Sequence, residues 1–196
     1  MQSGCLSTNK NTRMYYQILA ADKYYIGIVW QYADGKPLIE KIFLPCPRSN
    51  LLTKIKKEYA AINITERRIP NGLAKQIAGF YAGEKINFDF SLLHLKKLSD
   101  FAANVLKQTC KIPRGKVTTY SKLAAKTGRP LAARAVGTAL ANNPFPLIIP
   151  CHRVVRADGS LGGFGGGSKM KKELLAKEEV TTDDRGCVSA KYFSDG

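Results

Sequence analysis

Tyr120-Ser121-Lys122-Leu123-Ala124-Ala125-Lys126-Thr127-Gly128-Arg129-Pro130-Leu131-Ala132-Ala133-Arg134-Ala135-Val136-Gly137-Thr138-Ala139-Leu140-Ala141-Asn142 is the stretch on which the fold turns. Thr119 or Tyr120 leads into a short helix over residues 121–126, which Gly128 ends. Pro130 suits the first turn of a longer helix over 130–142. Short helix, glycine turn and longer helix is the order of a helix-turn-helix, although such pairs also serve as plain packing units. On the longer helix Ala132, Ala135, Val136 and Ala139 share one face. The opposite face carries Arg134, Gly137, Thr138 and Ala141, nearly bare around one long cation. A DNA groove would fit such a face, with Arg134 reaching in; an alanine-lined contact with a neighbouring helix is the alternative.

Downstream, Phe145-Pro146-Leu147-Ile148-Ile149-Pro150 is an apolar run whose prolines forbid a helix. It reads as a buried, extended connector that delivers Cys151 to the floor of a pocket. Gly162-Gly163-Phe164-Gly165-Gly166-Gly167 follows, matching neither the phosphate loop nor the dinucleotide fingerprint. It reads as a loop bending closely around a ligand, or as a flexible linker. A last helix over 168–178 aligns Met170, Leu174 and Leu175, with Glu178 on the same stripe. A carboxylate facing inward needs a partner; His152 is the candidate, and Lys171 also falls near the stripe. Residues 181–196 are polar and read as a flexible tail.

Upstream, residues 97–109 form a helix with Leu98, Phe101, Ala102, Val105 and Leu106 at helical spacing, broken by Pro113-Arg114-Gly115. The first half reads as mixed α/β. Residues 15–20 and 24–32 are strand-like, Asp34-Gly35 makes a hairpin turn, and 38–44 alternate. Helices follow near 50–60 and 72–81, then an extended connection over 84–93. The division expected is 1–95 as an α/β support domain and 96–180 as the domain carrying the chemistry.

The 196-residue chain carries 31 Lys and Arg against 15 Asp and Glu, a formal charge of +16, which favours a polyanionic partner, nucleic acid first and an anionic membrane surface second. No apolar run is long enough to span a bilayer, and Met1-Gln2-Ser3-Gly4-Cys5 lacks the order of a secretory signal. The five cysteines (Cys5, Cys46, Cys110, Cys151, Cys187) lie far apart, and the only histidines are His94 and His152. Neither a zinc finger nor a disulfide scaffold is supported; reduced thiols in an intracellular protein are expected.

Cys151 and His152 are therefore the chemistry-bearing pair. The thiolate is the nucleophile, so Cys151 needs a group to take its proton. His152 could do so directly or through water, with Glu178 orienting the imidazole. Beside a helix-turn-helix in a strongly basic chain, the electrophile is expected on DNA. A cysteine hydrolase is one rival, leaving the helix pair without a role. A DNA-binding damage sensor without chemistry is the other, and the presence of Cys151 speaks against it.

Pro150-Cys151-His152-Arg153-Val154, with Asn143-Pro144 and Pro146 before it, resembles the O6-alkylguanine-DNA alkyltransferase family. Arg114-Gly115-Lys116-Val117-Thr118-Thr119-Tyr120 and Ala133-Arg134-Ala135-Val136-Gly137 match in the same order and spacing. The likeness covers roughly residues 98–178, and the first half matches only in its α/β layout. The resemblance implies an α/β N-terminal domain, an antiparallel sheet with helices of RNase H-like type, before a mainly α, winged-helix-like domain with a helix-turn-helix. It implies DNA repair by irreversible, single-turnover transfer of a methyl or alkyl group from O6 of guanine in duplex DNA to Cys151, with O4 of thymine as a second candidate donor. His152 would be the water-mediated base, Glu178 its orienting acid, and Tyr120 a donor to N3 of the leaving guanine. Arg134 would fill the space of the flipped nucleotide while Ala133, Gly137, Thr138 and Ala141 lie along the minor groove. Asn143 would brace the turn, Cys151 and Val154 would offer backbone hydrogen bonds to the base, and Leu140, Pro146, Phe164 and Gly165 would complete pocket and hinge. A monomer is implied, with no cofactor and no membrane partner, acting in the cytoplasm of a prokaryote or the nucleus of a eukaryote.

Some members hold zinc in the first domain; only Cys5 could correspond here, with no histidine near it, so no zinc is expected. Many members have Tyr-Ser-Gly-Gly in the loop where this chain has Phe164-Gly165-Gly166-Gly167. The missing hydroxyl removes a possible contact to O6 and bears on the range of alkyl groups accepted.

Overall fold

The structure is a computed structural model and describes residues 13–194; Cys5 and the start of the chain lie outside them. Strands β1 (Met14–Ala21), β2 (Tyr24–Ala33) and β3 (Lys36–Cys46) form an antiparallel meander. Asp34 and Gly35 both have positive φ (51° and 74°), the requirement of a two-residue turn whose twist suits a hairpin. Helix α1 (Arg48–Glu58) then covers one face of the sheet, where Leu51 and Ile55 pack with Met14, Val29 and Phe43. A Cβ at Gly27 would lie 2.9 Å from a Leu51 methyl carbon, so only glycine admits the helix this closely.

The sheet departs from the expected antiparallel form. A short strand β4 (Ile64–Glu66) pairs parallel with β1, giving the order β3-β2-β1-β4. Helix α2 (Leu73–Ala82) covers the other face through Leu73, Ile77 and Phe80. The segment expected to be extended over 84–93 is irregular, closing in a 3-10 turn at Phe90–Leu92.

Helix α3 (Asp100–Cys110) starts on a Ser99 side chain that accepts the Ala102 N–H. Helix α4 (Tyr120–Lys126) is likewise capped by Thr119, which accepts from Lys122 N. Helix α5 (Ala133–Ala141) begins later than expected, because Pro130 and Leu131 sit in a turn closed by Ala132 N–H to Arg129 O. Its buried positions are Val136 and Leu140, and Ala135, read on the same face as Val136, is exposed.

The second half also carries a two-stranded parallel pair, β5 (Thr118–Thr119) with β6 (Val154–Val155), before helix α6 (Gly167–Lys177). One apolar core joins both halves: Ile28, Trp30 and Ile39 of the sheet pack in a single cluster with Val105, Leu106, Val136, Phe145 and Ile149. The backbone joins them too, with Ile42 of β3 donating to Pro144 O at 2.8 Å.

Residues 181–194, expected to be a loose tail, are folded. Val188 is buried with Val117, Val155, Leu175 and Val180, and the chain returns beside Val117. There Val117 N donates to Tyr192 O and Ser194 N to Val117 O, both at 2.9 Å. Among the described residues no helix is long and apolar enough to cross a membrane.

Candidate active site

The approach to Cys151 is set by Asn143. Its Oδ1 accepts the Phe145 N–H at 2.9 Å, and its Nδ2 lies 3.3 Å from both Ile149 O and Cys151 Sγ. One side chain thus fixes the start of the proline-punctuated run, its end and the thiol. Within the run Leu147 has φ 75°, an uncommon conformation for a non-glycine residue, and Ile149 N–H closes back on Phe145 O at 2.8 Å. The run is buried, and a 3-10 turn over Cys151–Arg153 follows it.

Behind the thiol lies a charged cluster out of contact with water. His152 is fully buried, and its Nε2 lies 3.0 Å from Glu178 Oε1. Its Nδ1 is buried without a protein partner. Arg153 grips the same carboxylate from the other side, Nε to Oε2 and Nη2 to Oε1 at 2.8 Å each, while Nη1 donates to Ile112 O at 2.7 Å. Burial opposes charge on Glu178, but the hydrogen bonds and charges of His152 and Arg153 outweigh it and hold the carboxyl at about 2. Burial depresses His152, against the pull of Glu178, and raises the Cys151 thiol, against the Asn143 hydrogen bond. Both shifts favour the uncharged pair, thiol and neutral imidazole.

Lys171, which the sequence places near the apolar stripe of the last helix, is buried beside the site. Its ammonium is fully buried and donates to Val154 O at 2.6 Å, to Leu161 O, and to Gly163 O at 3.4 Å. One cation of α6 thereby staples β6 to the glycine loop. Burial lowers it to about 8, with the Cys151 charge pulling the other way.

In front of Cys151 opens a cleft of about 340 Å³. Tyr120 forms one wall, Gly137, Leu140 and Ala141 of α5 a second, and Gly163, Phe164 and Gly165 a third. Burial raises the Tyr120 phenol, and the Cys151 charge adds to the effect. Of the candidate residues, Cys151, Tyr120, Gly137, Leu140, Ala141, Phe164 and Gly165 thus meet in one cleft. Asn143, His152, Glu178, Pro146 and Val154 lie behind it; Val154 is buried and its carbonyl is engaged by Lys171. Arg134 and Thr138 are exposed on α5 outside the lining, and Ala133 is half-buried at its start. Among the described residues no three His, Cys, Asp or Glu side chains gather as metal ligands.

Arg153 carried a signal only as the residue after Cys-His; its partner lies 25 positions away. Lys171 and Glu178 share a stripe with Leu174 and Leu175, and such polar residues on an apolar stripe are the one local sign of a buried network.

Residues 100–180 match the family model described as 6-O-methylguanine DNA methyltransferase, DNA binding domain. A methylated-DNA–protein-cysteine methyltransferase of Methanosarcina barkeri is 35% identical over 166 residues, covering 85% of this chain and 98% of that protein. A protein of the same name from Methanothermobacter thermautotrophicus is 43% identical over 111 residues, 57% of this chain, and the match spans 62% of its length. The solved structure of a variant of the M. tuberculosis O6-methylguanine methyltransferase superposes with a TM-score of 0.68 at 29% identity, covering 87% of this chain and 95% of that one. Mycobacterium tuberculosis OGT in complex with DNA gives 0.66 at 30% identity, covering 84% and 92%.

Proposed function

This chain belongs to the methylated-DNA–protein-cysteine methyltransferase family, and from that premise we propose that Cys151 takes an alkyl group from O6 of guanine in duplex DNA. The observation that carries the reading is the thiol at the floor of the cleft, held by Asn143 and backed by the buried His152–Glu178 pair.

The chemistry is an in-line displacement at the alkyl carbon. The Cys151 sulfur forms a bond to carbon as the bond from carbon to O6 breaks, and the electron pair leaves on the guanine. The thiol proton passes to His152, whose unpartnered Nδ1 suits a bridging water, and Glu178 stabilises the imidazolium. Tyr120 donates toward N3 of the departing base, making it a better leaving group. The base must leave the stack to reach Cys151, at a cost of a few kcal/mol. The small residues Gly137 and Ala141 of α5 admit the backbone closely, and Arg134 fills the vacated space. Phe164 and Gly165 close over the base.

The product is a thioether that water does not cleave, so each molecule acts once. O4-alkylthymine is a second substrate of the same geometry. We read residues 1–95 as an RNase H-like support domain and 96–180 as a winged-helix-like DNA-binding domain, in a monomer working where the genome lies: the cytoplasm of a prokaryote or a eukaryotic nucleus.

Intact-mass measurement after mixing with an equal amount of duplex DNA carrying one O6-methylguanine tests the reading. A gain of one methylene, located on the Cys151 peptide and absent in Cys151→Ala, is expected. An unchanged mass with DNA binding intact would overturn it in favour of a damage sensor.

A further inference from the structure

Arg156 plays no part in the site described above. It is exposed, and among the described residues its side chain makes no hydrogen bond and no ion pair. The nearby Asp158 is turned to Ser160 instead, accepting its N–H at 3.0 Å and its hydroxyl at 2.7 Å. Yet the backbone that carries Arg156 is tightly fixed. Arg156 N donates to Ser160 O at 2.9 Å, Gly159 N to Arg156 O at 3.0 Å, and Val188 N from the folded tail to Gly159 O at 2.9 Å. An unpaired guanidinium on a pinned turn has little to do for the fold itself.

Its position relates it to Tyr120. In the parallel pair Thr118 stands beside Val154 and Thr119 beside Val155, so Tyr120 and Arg156 are the next residues along the two chains. Their side chains border one point: a Cβ built at Gly162 would lie 2.9 Å from the Tyr120 hydroxyl and 3.5 Å from Arg156 Cγ. The opposite edge of the ring, Cδ1 and Cε1, faces α5, where a Cβ built at Gly137 would lie 3.9 Å from both atoms. Tyr120 thus stands between the helix that carries Arg134 and the turn that carries Arg156, with the cleft opening in front of it.

We propose that Arg156 binds a backbone phosphate of the flipped nucleotide on the side of Tyr120 away from α5. The proposal rests on the alkyl-acceptor reading. Rotating a nucleotide into the cleft brings its own phosphates to the rim beside Tyr120. A free guanidinium is well matched to a phosphodiester through paired N–H donors, and the bond costs no internal partner. Arg134 then fills the stack on one side while Arg156 holds the rotated backbone on the other. Arg156 is a positioning residue that never touches the reacting atoms.

The test compares the wild type with Arg156→Ala and Arg156→Lys on duplex DNA carrying one O6-methylguanine, at several salt concentrations. In parallel, transfer from O6-benzylguanine is measured as the free base, which has no phosphate. Arg156→Ala is expected to weaken DNA binding by about five- to tenfold and to reduce the slope of log affinity against log salt by about one. Transfer from the free base stays at the wild-type rate, and Arg156→Lys keeps the salt slope. An unchanged affinity and slope would overturn the proposal. An equal loss of rate on the free base would also overturn it, placing the effect of Arg156 on the Tyr120 phenol. Binding is read separately from transfer. A wild type that binds without transferring overturns the alkyl-acceptor reading, while the salt slope still judges the phosphate contact.

Discussion

Glu178 Oε1 lies 3.0 Å from His152 Nε2, and the same carboxylate is held by two 2.8 Å bonds from Arg153. Arg153 neutralises the carboxylate before any reaction, so His152 is oriented without being forced into its charged form. Glu178→Gln should keep the shape but weaken support for the imidazolium, lowering the single-turnover rate by about 10- to 100-fold. Glu178→Ala, which leaves Arg153 buried without its partner, should also cost about 3–5 kcal/mol of stability. Stopped-time alkyl transfer and denaturant unfolding separate the two effects. Equal rates for Glu178→Gln and wild type would remove the orienting role.

The same carboxylate sets an acid limit. Its folded value, about 2, lies below its ordinary value of 4.5, so the unfolded state binds the proton more readily. The stabilisation is fully present above pH about 4.5 and is lost as pH falls toward about 2. Melting temperatures taken between pH 6 and 2.5 should therefore fall more steeply for the wild type than for Glu178→Gln. Parallel curves would show that other groups govern acid unfolding.

Lys171 joins the loop over the cleft to the strand behind it, through Gly163 O and Leu161 O on one side and Val154 O on the other. Lys171→Met removes the donor but fills the volume. Each carbonyl left buried and unpaired costs about 1–3 kcal/mol. Loss of stability and at least a tenfold slower transfer are expected, with faster amide exchange over residues 161–167. Wild-type exchange in that loop would show that it is held by other contacts.

How much of this is legible in the sequence depends on how locally each feature is encoded. The helix pair is legible because Gly128 ends one helix and Pro130 precedes the next, although of the face read from Ala132, Ala135, Val136 and Ala139 only Val136 is fully buried and Leu140 takes the other core position. The β2–β3 hairpin is legible because Asp34-Gly35 accepts positive φ at both positions. Strand β4 is not, since Ile64, Thr65 and Glu66 carry no periodicity and are ordered by pairing with β1. The folded tail is equally hidden: Val188, Tyr192 and Phe193 are apolar residues scattered among polar ones, and their partner Val117 lies far back in the chain. At the site, Cys151 and His152 are visible as neighbours and Glu178 through its place on an apolar stripe. The Arg153 grip and the Asn143 contact to sulfur depend on tertiary approach, which no local pattern records.

The tail offers a test of how far the site depends on it. Val188 is buried beside Val117, and Gly159 O accepts from Val188 N at 2.9 Å, so the tail braces both β5, which leads into Tyr120, and the turn after β6. Ending the chain at Val180 should expose Val117 and Val155 and destabilise the protein by about 2–4 kcal/mol. Val188→Asp should cost a similar amount by burying a lone carboxylate. Because Tyr120 and Cys151 stand on different elements, loosening β5 should slow transfer more than it weakens DNA binding. A truncated protein with the wild-type melting temperature and rate would show the tail to be an independent appendage.

Gly162 has φ 68°, a left-handed conformation costly for other residues, and a Cβ there would lie 2.9 Å from the Tyr120 hydroxyl and 3.2 Å from Cε2. Gly162→Ala therefore strains the backbone and presses on the phenol at once. The backbone alone should cost about 1–2 kcal/mol. Tyr120 must also move, which displaces the hydroxyl proposed to donate to the base. Tyr120→Phe removes the hydroxyl without strain and provides the control. Both variants should slow transfer, with only Gly162→Ala losing stability. If Gly162→Ala were destabilised yet transferred the alkyl group at the wild-type rate while Tyr120→Phe did not, the phenol would have to keep its place by another route, and the close packing at Gly162 would matter to the fold alone.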